Sequence, residues 1–526
     1  MDKKKTAGRV VFVGTGPGDP GLLAWRARET LIDASVALVD PAVPKEILSL
    51  IGTRGATNDE GQKIAKAEPH VTVLPQEIDP SDIVKMLLGE AKNGHDVVRL
   101  VAGDPGSRED VVAELLAIAR SQAPMDVIPG VSATAAAPLY AGIPLGSIHT
   151  EADLRGDVDW SALAGAPGSL VLSLTAKQLA STGAALIDQG LPPNTPVAIT
   201  SAGTTRTQKT LESTLSGLSQ MGAELPDPLV LTVGRVVGQR SKLNWWESRA
   251  LFSWSVLVPR TKDQAGEMCE RLVSHGAIPV EVPTIAVEPA RSPAQMERAV
   301  KGLVDGRYQW VVFTSTNAVR AVWEKFNEFG LDARAFSGVK IACVGPATAK
   351  RVREFGIEPE LVPEGEQSSL GLLEEFPPYD EIFDPVNRVL LPRADIATET
   401  LAAGLRDGGW EVDDVTAYRT VRAAPPPADI REMIKTGGFD AVCFTSSSTV
   451  RNLVGIAGKP HARTIIACIG PKTVETAQEF GLRVDVQPDV ASAPALVDAL
   501  AEHAARLRAE GALPPPRKRS RRSSSR

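Results

Sequence analysis

The sequence has few of the residues that build metal centres and disulfide frameworks. Its 526 residues include four cysteines and six histidines. The cysteines show no Cys-x-x-Cys spacing, and Cys343, Cys443 and Cys468 lie inside apolar runs typical of strands. We therefore expect buried free thiols rather than disulfides or metal ligands, and the scattered histidines form no ligand pattern either. No metal site is predicted.

Long hydrophobic runs and an excess of positive charge are also lacking. No apolar run is long enough for a membrane span, and the first residues lack the apolar stretch of a signal peptide. We therefore expect a cytoplasmic protein without a membrane partner. A net charge of −7 argues against general binding to nucleic acid, so an anionic ligand must meet local clusters of donors. The apolar content of 43% is ordinary for a globular chain with several cores.

One pattern occurs twice in the second half of the chain. An apolar run ends in Phe-Thr-Ser and passes into helical periodicity at 313–315 and again at 444–446. A further apolar run then leads into Gly-Pro-x-Thr and another helical stretch, at 345–348 and at 470–473. Each copy predicts two strands that deliver the chain to helix N-termini, where free amides attract anions. The pattern indicates two similar lobes with a cleft suited to a polycarboxylate. The alternative is that Thr-Ser only caps its helix.

Glycine-rich turns follow apolar runs in the first half. They occupy residues 14–19, 102–105 and 129–133, and Gly-Ile-Pro-Leu closes the set at 142–145. The first turn is not the G-x-G-x-x-G of dinucleotide folds, because Pro17 stands between its second and third glycines. Ligands of open α/β sheets bind at the carboxyl ends of the strands, where these turns are expected. A second α/β unit with a further turn at 202–208 is predicted for residues 150–238.

Together these motifs, and the closing Leu-Asn-Trp-Trp at 243–246, resemble the uroporphyrinogen-III C-methyltransferases of the tetrapyrrole methylase family. The resemblance covers residues 8–252 and implies subdomains at 8–145 and 146–238 with S-adenosylmethionine between them. Asp40 falls where the family carries its acidic catalytic residue, the proposed proton acceptor. The cofactor positions of the family fall on Pro17, Ala102, Gly103, Asp104, Ser107, Ser132, Ala133, Leu174 and Gly203.

Two departures from that family bear on methyl transfer. The motif with the proton-donating lysine has no clear counterpart after Ile51, and the substrate loop after Pro105 is shortened. The resemblance therefore implies S-adenosylmethionine binding with two alternatives for activity. Either the domain methylates uroporphyrinogen III to precorrin-2, or it is an inactive methylase that serves as a scaffold or sensor. Members of this family usually pair through the second subdomain, which implies a homodimer.

The remainder of the chain, residues 255–508, resembles uroporphyrinogen-III synthase. The resemblance rests on the opening Pro-Arg at 259–260, on the duplicated turns, and on Val-Thr-Ala-Tyr-Arg-Thr at 415–420. It implies an α/β fold of two lobes with parallel sheets and helices on both faces. Lobe 1 comprises 255–287 with 423–508, lobe 2 comprises 288–422, and two strands between them act as a hinge.

Two segments flank this domain. The aromatic-rich connector at 239–254 is interpreted as pinning one domain to the next rather than stacking a ligand. The basic tail at 509–526 is predicted to be disordered, without a specific nucleic-acid partner.

That family closes the linear hydroxymethylbilane into a macrocycle with inversion of its last ring, without a metal or redox cofactor. Tyr418 matches its implicated tyrosine, and a phenol can donate a proton to the leaving hydroxyl. A packed strand tyrosine is the alternative. The implied product is a substrate of the methyltransferase family, which points to the siroheme and corrinoid branch. The alternative hypothesis is a two-lobed tetrapyrrole-binding module without catalysis. Candidate substrate-binding residues, many acting through backbone amides, are Arg260, Lys262, Thr314, Ser315, Ala347, Arg393, Thr445, Ser446, Lys472 and Thr473.

Overall fold

The structure is a computed structural model that describes residues 8–53, 56–57, 63–64, 68–221, 225–259 and 262–512. Its contacts divide the chain into two units. The first is built mainly from residues up to Trp254, with Leu272–Ile278 and Ala504–Gly511, and the second from Ser255–Arg271 and Pro279–His503. The predicted α/β class is confirmed. None of the helices in the described ranges combines the length and apolarity needed to cross a membrane.

A five-stranded parallel sheet forms the first half of unit 1, in the order β5-β2-β6-β1-β7. Its central strands are buried on both faces because helices cover both sides, which explains their continuous apolar runs. The strands are β1 Val10–Gly14, β2 Val36–Val39, β3 Ala56–Thr57, β4 Lys63–Ile64, β5 His70–Val73, β6 Val97–Val101 and β7 Met125–Ile128, of which β3 and β4 pair with each other outside this sheet. The helices are α1 Trp25–Asp33, α2 Lys45–Leu48, α3 Pro80–Lys92, α4 Glu109–Arg120 and α5 Ala133–Tyr140.

A second, mostly antiparallel sheet completes unit 1. Its strand order is β11-β10-β12-β9-β8, and only β8 and β9 run parallel within it. Its strands are β8 His149–Asp153, β9 Ser169–Leu174, β10 Pro196–Ser201, β11 Lys209–Thr214 and β12 Leu229–Val233, with helices α6 Trp160–Ala164, α7 Leu179–Asp188 and α8 Arg240–Leu243. The connector then packs on its own unit, because the indole N–H groups of Trp245 and Trp246 donate to the carbonyl oxygens of Leu139 and Thr205.

Unit 2 contains two sheets. The order of one is β14-β13-β20-β21, and the order of the other is β15-β19-β18-β16-β17. The strands are β13 Ser255–Val258, β14 Ile278–Glu281, β15 Ile285–Pro289, β16 Trp310–Phe313, β17 Lys340–Cys343, β18 Arg388–Ala394, β19 Glu411–Arg422, β20 Ala441–Phe444 and β21 Ile465–Cys468. The helices are α9 Lys262–Ser274, α10 Pro293–Val304, α11 Thr316–Glu328, α12 Pro346–Arg353, α13 Ser369–Glu375, α14 Thr400–Asp407, α15 Ala428–Thr436, α16 Ser447–Ala457, α17 Pro471–Glu479 and α18 Ala493–Ala509.

The two sheets of unit 2 repeat the same local structure. In one, β16 leads into α11 and β17 into α12; in the other, β20 leads into α16 and β21 into α17. The segment after each second helix returns to its strand in the same way, through the parallel bridges Ala342–Leu361 and Ala467–Val486. The chain passes between the sheets through β15 and the end of β19, which pair in antiparallel fashion from Ile285–Arg422 to Pro289–Tyr418.

Candidate active sites

The Thr-Ser corners of unit 2 have the same geometry in both copies. Ser315 precedes α11 with φ −160° and ψ 158°, and Ser446 precedes α16 with φ −166° and ψ 160°. The Oγ of Ser315 accepts the amide of Ala318 at 3.2 Å, and that of Ser446 accepts the amide of Thr449 at 3.3 Å. Each serine therefore satisfies one end amide of its helix. The preceding residues, Thr314 and Thr445, are half-buried strand ends.

The Gly-Pro corners are also duplicated. Gly345 and Gly470 cap α12 and α17, each with proline in the first turn. Ala347 and Lys472 are exposed there, so their backbones can face a ligand. Thr473 was expected to bind substrate. In the structure it is 4% exposed, and its amide already donates to the Gly470 carbonyl at 3.0 Å.

Tyr418 and Ser315 are brought together by the fold. The hydroxyl oxygens of the two side chains are 3.0 Å apart, and Tyr418 is 8% exposed. Tyr418 lies within β19, which continues to Arg422. The parallel pairing with β18 ends at Tyr418, and the strand then goes on only as the partner of β15. Two candidates from separate motifs thus meet where the sheet gives way to the linking strands.

The candidate site of unit 1 consists of the turns that follow β1, β6 and β7, which contact one another. Gly16 and Gly103 exchange backbone hydrogen bonds of 3.1 and 2.9 Å. Asp104 accepts the amide of Gly130 on Oδ1 at 3.0 Å, and a Cβ atom at Gly130 would lie 2.2 Å from the carbonyl oxygen of Gly103. Only glycine allows this approach, so the ends of β1, β6 and β7 pack backbone to backbone. Ser107 closes the turn by donating its hydroxyl to the Asp104 carbonyl at 2.9 Å.

The turn after β10, in the second sheet, also contacts these turns. The amide of Asp19 donates to the Thr204 hydroxyl at 3.0 Å, two residues after Pro17. A Cβ atom at Gly203 would lie 2.7 Å from the Cβ of Ala137 in α5. Ser132 caps the same helix by accepting the amide of Ala135 at 3.1 Å, directly before Ala133. Most of the predicted cofactor positions therefore lie in turns that contact one another.

Comparison with known proteins agrees with both halves of this structure. Residues 9–219 match the family model of the tetrapyrrole (corrin/porphyrin) methylases, and residues 266–498 match that of uroporphyrinogen-III synthase HemD. The porphyrin biosynthesis protein HemD of Ruminiclostridium josui is 30% identical over 512 residues, which cover 94% of this chain and 98% of that protein. The chain belongs to this HemD family. Both resemblances drawn from the sequence are confirmed.

Other similar proteins match one half each. Siroheme synthase of Escherichia coli strain K12 / DH10B is 33% identical over 250 residues, which is 46% of this chain and 53% of that protein. The chain thus spans about half the length of that relative. Uroporphyrin-III C-methyltransferase from Thermus thermophilus is 27% identical with a TM-score of 0.37, covering 44% of this chain and 99% of that structure. A mutant uroporphyrinogen III synthase, also from Thermus thermophilus, is 18% identical with a TM-score of 0.34, covering 48% and 100%.

Asp40, the acidic candidate of the methylase-like half, lies in a buried ion-pair network. One carboxylate oxygen is 2.7 Å from a guanidinium nitrogen of Arg99, and the other accepts Arg108 and, at 3.2 Å, the amide of Ala102. Arg99 also holds Glu114 through two hydrogen bonds of 2.9 and 3.1 Å. Both oxygens of Asp40 are therefore occupied in this conformation.

The charges in this network reinforce one another. Burial by itself would lower the pKa of Arg99, but the carboxylates of Glu114 and Asp40 outweigh it and raise that pKa. The pKa of Arg108 is raised in the same way, since Asp110 and Asp40 outweigh its burial. Burial raises the pKa of Glu114. Each of these buried charges would be costly alone, and the network is stable because arginines and carboxylates neutralise one another.

Leu174 and Arg393 lie in surroundings that the sequence did not indicate. The side chain of Leu174 is buried in the apolar core on one face of β9, so only its backbone can serve a cofactor. Arg393 is 6% exposed and its guanidinium is held by Asp414, by Glu399 at 2.6 Å and by the carbonyl of Thr398. The hydrogen bond with Asp414, with Glu399 in support, raises the pKa of Arg393. Its positive charge is already compensated within the protein.

A few sequence-based expectations cannot be located. Arg260 lies outside the described residues, and so do parts of the stretch that follows Ile51, where the family has its lysine motif, and the tail from residue 513. Lys262 is the first residue of α9, without a described side chain. Across the described ranges, no group of three or more His, Cys, Asp or Glu side chains is arranged to hold a metal ion.

A third corner in each copy was missed at the level of sequence. Ser368 caps α13 by accepting the amide of Gly371 at 3.2 Å, and Ser492 accepts the amide of Ala495 at 3.3 Å before α18. Each corner lies beside the Gly-Pro corner of its copy, since a Cβ atom at Gly345 or Gly470 would face the Cβ of the residue preceding that serine at 3.9 or 3.7 Å. A serine at a similar distance after Gly-Pro in both copies was the available signal.

Proposed function

We propose that unit 2 is a uroporphyrinogen-III synthase that cyclises hydroxymethylbilane with inversion of its last ring. The observation that carries this proposal is the 3.0 Å contact between the hydroxyls of Tyr418 and Ser315 at the N-terminal corner of α11. The reaction needs a proton for the leaving hydroxyl and a surface that bends a flexible chain into reactive geometry. Tyr418 supplies the proton, and Ser315 orients the phenol.

The substrate carboxylates are held mainly by backbone amides. We assign Thr314, Ser315 and Ala347 to this role in lobe 2, residues 288–422, and Thr445 and Lys472 in lobe 1, residues 255–287 with 423–508. Amides at helix N-termini bind anions whatever side chain they carry. Arg393 is left out of this set, because its guanidinium already has partners. Thr473 and Ser446 are left out as well, because their amides donate to the Gly470 carbonyl and to the Thr449 hydroxyl.

The matched variants Ser315→Ala and Ser446→Ala test the special role of the first serine. Each removes an N-cap and should lower the free energy of unfolding by about 1 kcal/mol. Only Ser315→Ala removes the neighbour of the Tyr418 hydroxyl, so only this variant should slow turnover of hydroxymethylbilane, by roughly tenfold. Urea unfolding and the initial rate of macrocycle formation measure the two effects. Equal rates for the two variants would remove Ser315 from the mechanism.

We further propose that unit 1 binds S-adenosylmethionine and methylates uroporphyrinogen III to precorrin-2, which would make the chain bifunctional. The match to the methylases supports cofactor binding, and so do the contacts among the turns after β1, β6, β7 and β10. Gly103 has φ +79°, and no atom lies within 4 Å of a Cβ atom built on it, so its backbone borders an open space. The product of unit 2 is then the substrate of unit 1, and joining them favours the siroheme and corrinoid branch through local concentration.

Gly103→Ala tests the cofactor site. The methyl group enters the open space, so the affinity for S-adenosylhomocysteine should fall at least about tenfold in calorimetric titration. The variant should also lose about 1–2 kcal/mol of stability, because alanine at this position must adopt the left-handed backbone conformation. Gly190→Ala is the matched control, because Gly190 has φ +102° and is also open on its Cβ side. The control should share the strain and keep the affinity; a Gly103 variant with wild-type affinity would rule out this space as the cofactor site.

A specific observation favours a second candidate for unit 1, an inactive methylase that acts as a scaffold or S-adenosylmethionine sensor. Both carboxylate oxygens of Asp40 are engaged by arginines, which opposes a role as proton acceptor unless Arg108 moves away. Precorrin-2 formation from uroporphyrinogen III separates the two candidates. Cofactor binding without methylated product would support the scaffold.

A further inference from the structure

The duplicated helices α11 and α16 carry an arginine at the same place, with different surroundings. Arg320 stands five residues after Ser315, and Arg451 stands five residues after Ser446. In α11 the residue one turn further is Glu324, whose carboxylate lies 3.8 Å from the guanidinium of Arg320. In α16 the corresponding residue is Gly455, and the helix Ser447–Ala457 contains no acidic residue. Arg451 therefore lacks the acidic neighbour on its own helix that Arg320 has.

A second guanidinium occupies the place where that acid would stand. A Cβ atom at Gly455 would lie 3.1 Å from Nη1 and 3.2 Å from Cζ of Arg422, the last residue of β19. Residues four apart on a helix are neighbours on one face, so the guanidinium of Arg422 lies against the same face of α16 that carries Arg451. Among the residues that the structure describes, neither guanidinium has a carboxylate within 4.0 Å, whereas Arg419 in the same strand is paired with Glu288.

Two uncompensated guanidinium groups on one face of a helix attract an anion. Bringing like charges together is unfavourable unless a negative group joins them, and guanidinium is suited to bidentate binding of carboxylate. The face that carries Arg451 begins at Ser447, whose hydroxyl donates to the carbonyl of Lys472 at 2.9 Å. The pair therefore lies on a helix face that extends from the Thr-Ser and Gly-Pro corners of lobe 1 to the strand linking the lobes.

We propose that Arg422 and Arg451 form a carboxylate-binding subsite for an acidic side chain of the tetrapyrrole substrate, with Gly455 as the residue that makes room for it. This inference rests on the proposed synthase function and adds a specificity-determining element to it. The backbone amides of the corners hold carboxylates without regard to side chain. The arginine pair, by contrast, gives the otherwise repeated site an asymmetry, because the corresponding arginine of lobe 2, Arg320, has Glu324 beside it.

Three variants test the subsite by steady-state kinetics with hydroxymethylbilane. Arg422→Gln and Arg451→Gln should each raise KM about fivefold to tenfold with kcat within about twofold of wild type, since a charged contact to substrate is lost and the proton donor stays. Gly455→Glu restores the acid found in lobe 2 and should raise KM at least as much while both arginines remain. Arg353→Gln is the control, because Arg353 is already paired with Glu358 at 2.6 Å, and it should leave KM unchanged.

Direct binding separates this inference from the proposed function. Calorimetric titration with uroporphyrin III, the oxidised form of the product, reads carboxylate recognition without turnover. Affinity that is lost in Gly455→Glu and kept in Arg353→Gln supports the subsite even if the wild-type chain fails to cyclise, which would overturn the proposed function alone. Wild-type KM and uroporphyrin affinity in all three subsite variants would overturn the inference and leave the synthase function intact.

Discussion

Tyr418→Phe is expected to slow cyclisation of hydroxymethylbilane by about 10² to 10⁴-fold, because a single positioned acid typically contributes that much. The variant keeps the ring in the core and loses only the hydroxyl, which lies 3.0 Å from Ser315. The fold should therefore remain intact. The rate is measured in an assay coupled to enzymatic formation of the unstable substrate, with unfolding in urea as the check on structure.

Tyr308→Phe is the matched control for this variant. Tyr308 is buried in the same apolar core as Tyr418, in the segment before β16, and its hydroxyl donates to Asp413 at 2.7 Å. Burial, together with this hydrogen bond, raises the pKa of Tyr308. Its loss should cost about 1 kcal/mol of stability without slowing turnover. Near wild-type turnover in Tyr418→Phe would exclude Tyr418 as the proton donor.

Glu114→Ala is expected to lower the free energy of unfolding by about 3–5 kcal/mol, which is the usual cost of removing one partner of a buried ion pair. Arg99 and Glu114 are each 1% exposed, so the variant leaves a buried guanidinium with Asp40 as its remaining carboxylate. Urea unfolding of the full chain, followed by tryptophan fluorescence, measures the loss.

Lys85→Ala provides the comparison for a surface pair. Lys85 lies 2.7 Å from Asp82 in an exposed pair on α3, and such pairs contribute at most about 1 kcal/mol. A loss of less than about 1 kcal/mol in Glu114→Ala as well would contradict the view that this network holds Asp40 and the end of β6 in place.

The strand-to-helix corners could be predicted because their signals are local. Thr-Ser after an apolar run and Gly-Pro before a helical stretch specify capping at the positions where they occur, and the corners at Ser315 and Ser446 form as expected. Both helices at the Gly-Pro corners begin at the proline itself, Pro346 and Pro471, because proline is accepted in the first turn of a helix.

The contacts that decide which candidate is free to act could not be predicted, because they join distant residues. Arg393 was expected to bind substrate, yet its main partner, Asp414, stands on the neighbouring strand 21 residues away. The Ser315–Tyr418 contact spans 103 residues, so each residue could be proposed from its motif but their meeting could not. The place of Arg422 against Gly455 likewise follows from strand pairing that no local pattern shows.

The isomer composition of the product tests the central claim most directly. The wild-type chain is incubated with hydroxymethylbilane, the macrocycles are oxidised, and uroporphyrins I and III are separated by chromatography. We expect isomer III to dominate and to form faster than the uncatalysed closure. Isomer I alone, at the rate seen without protein, would contradict the synthase function.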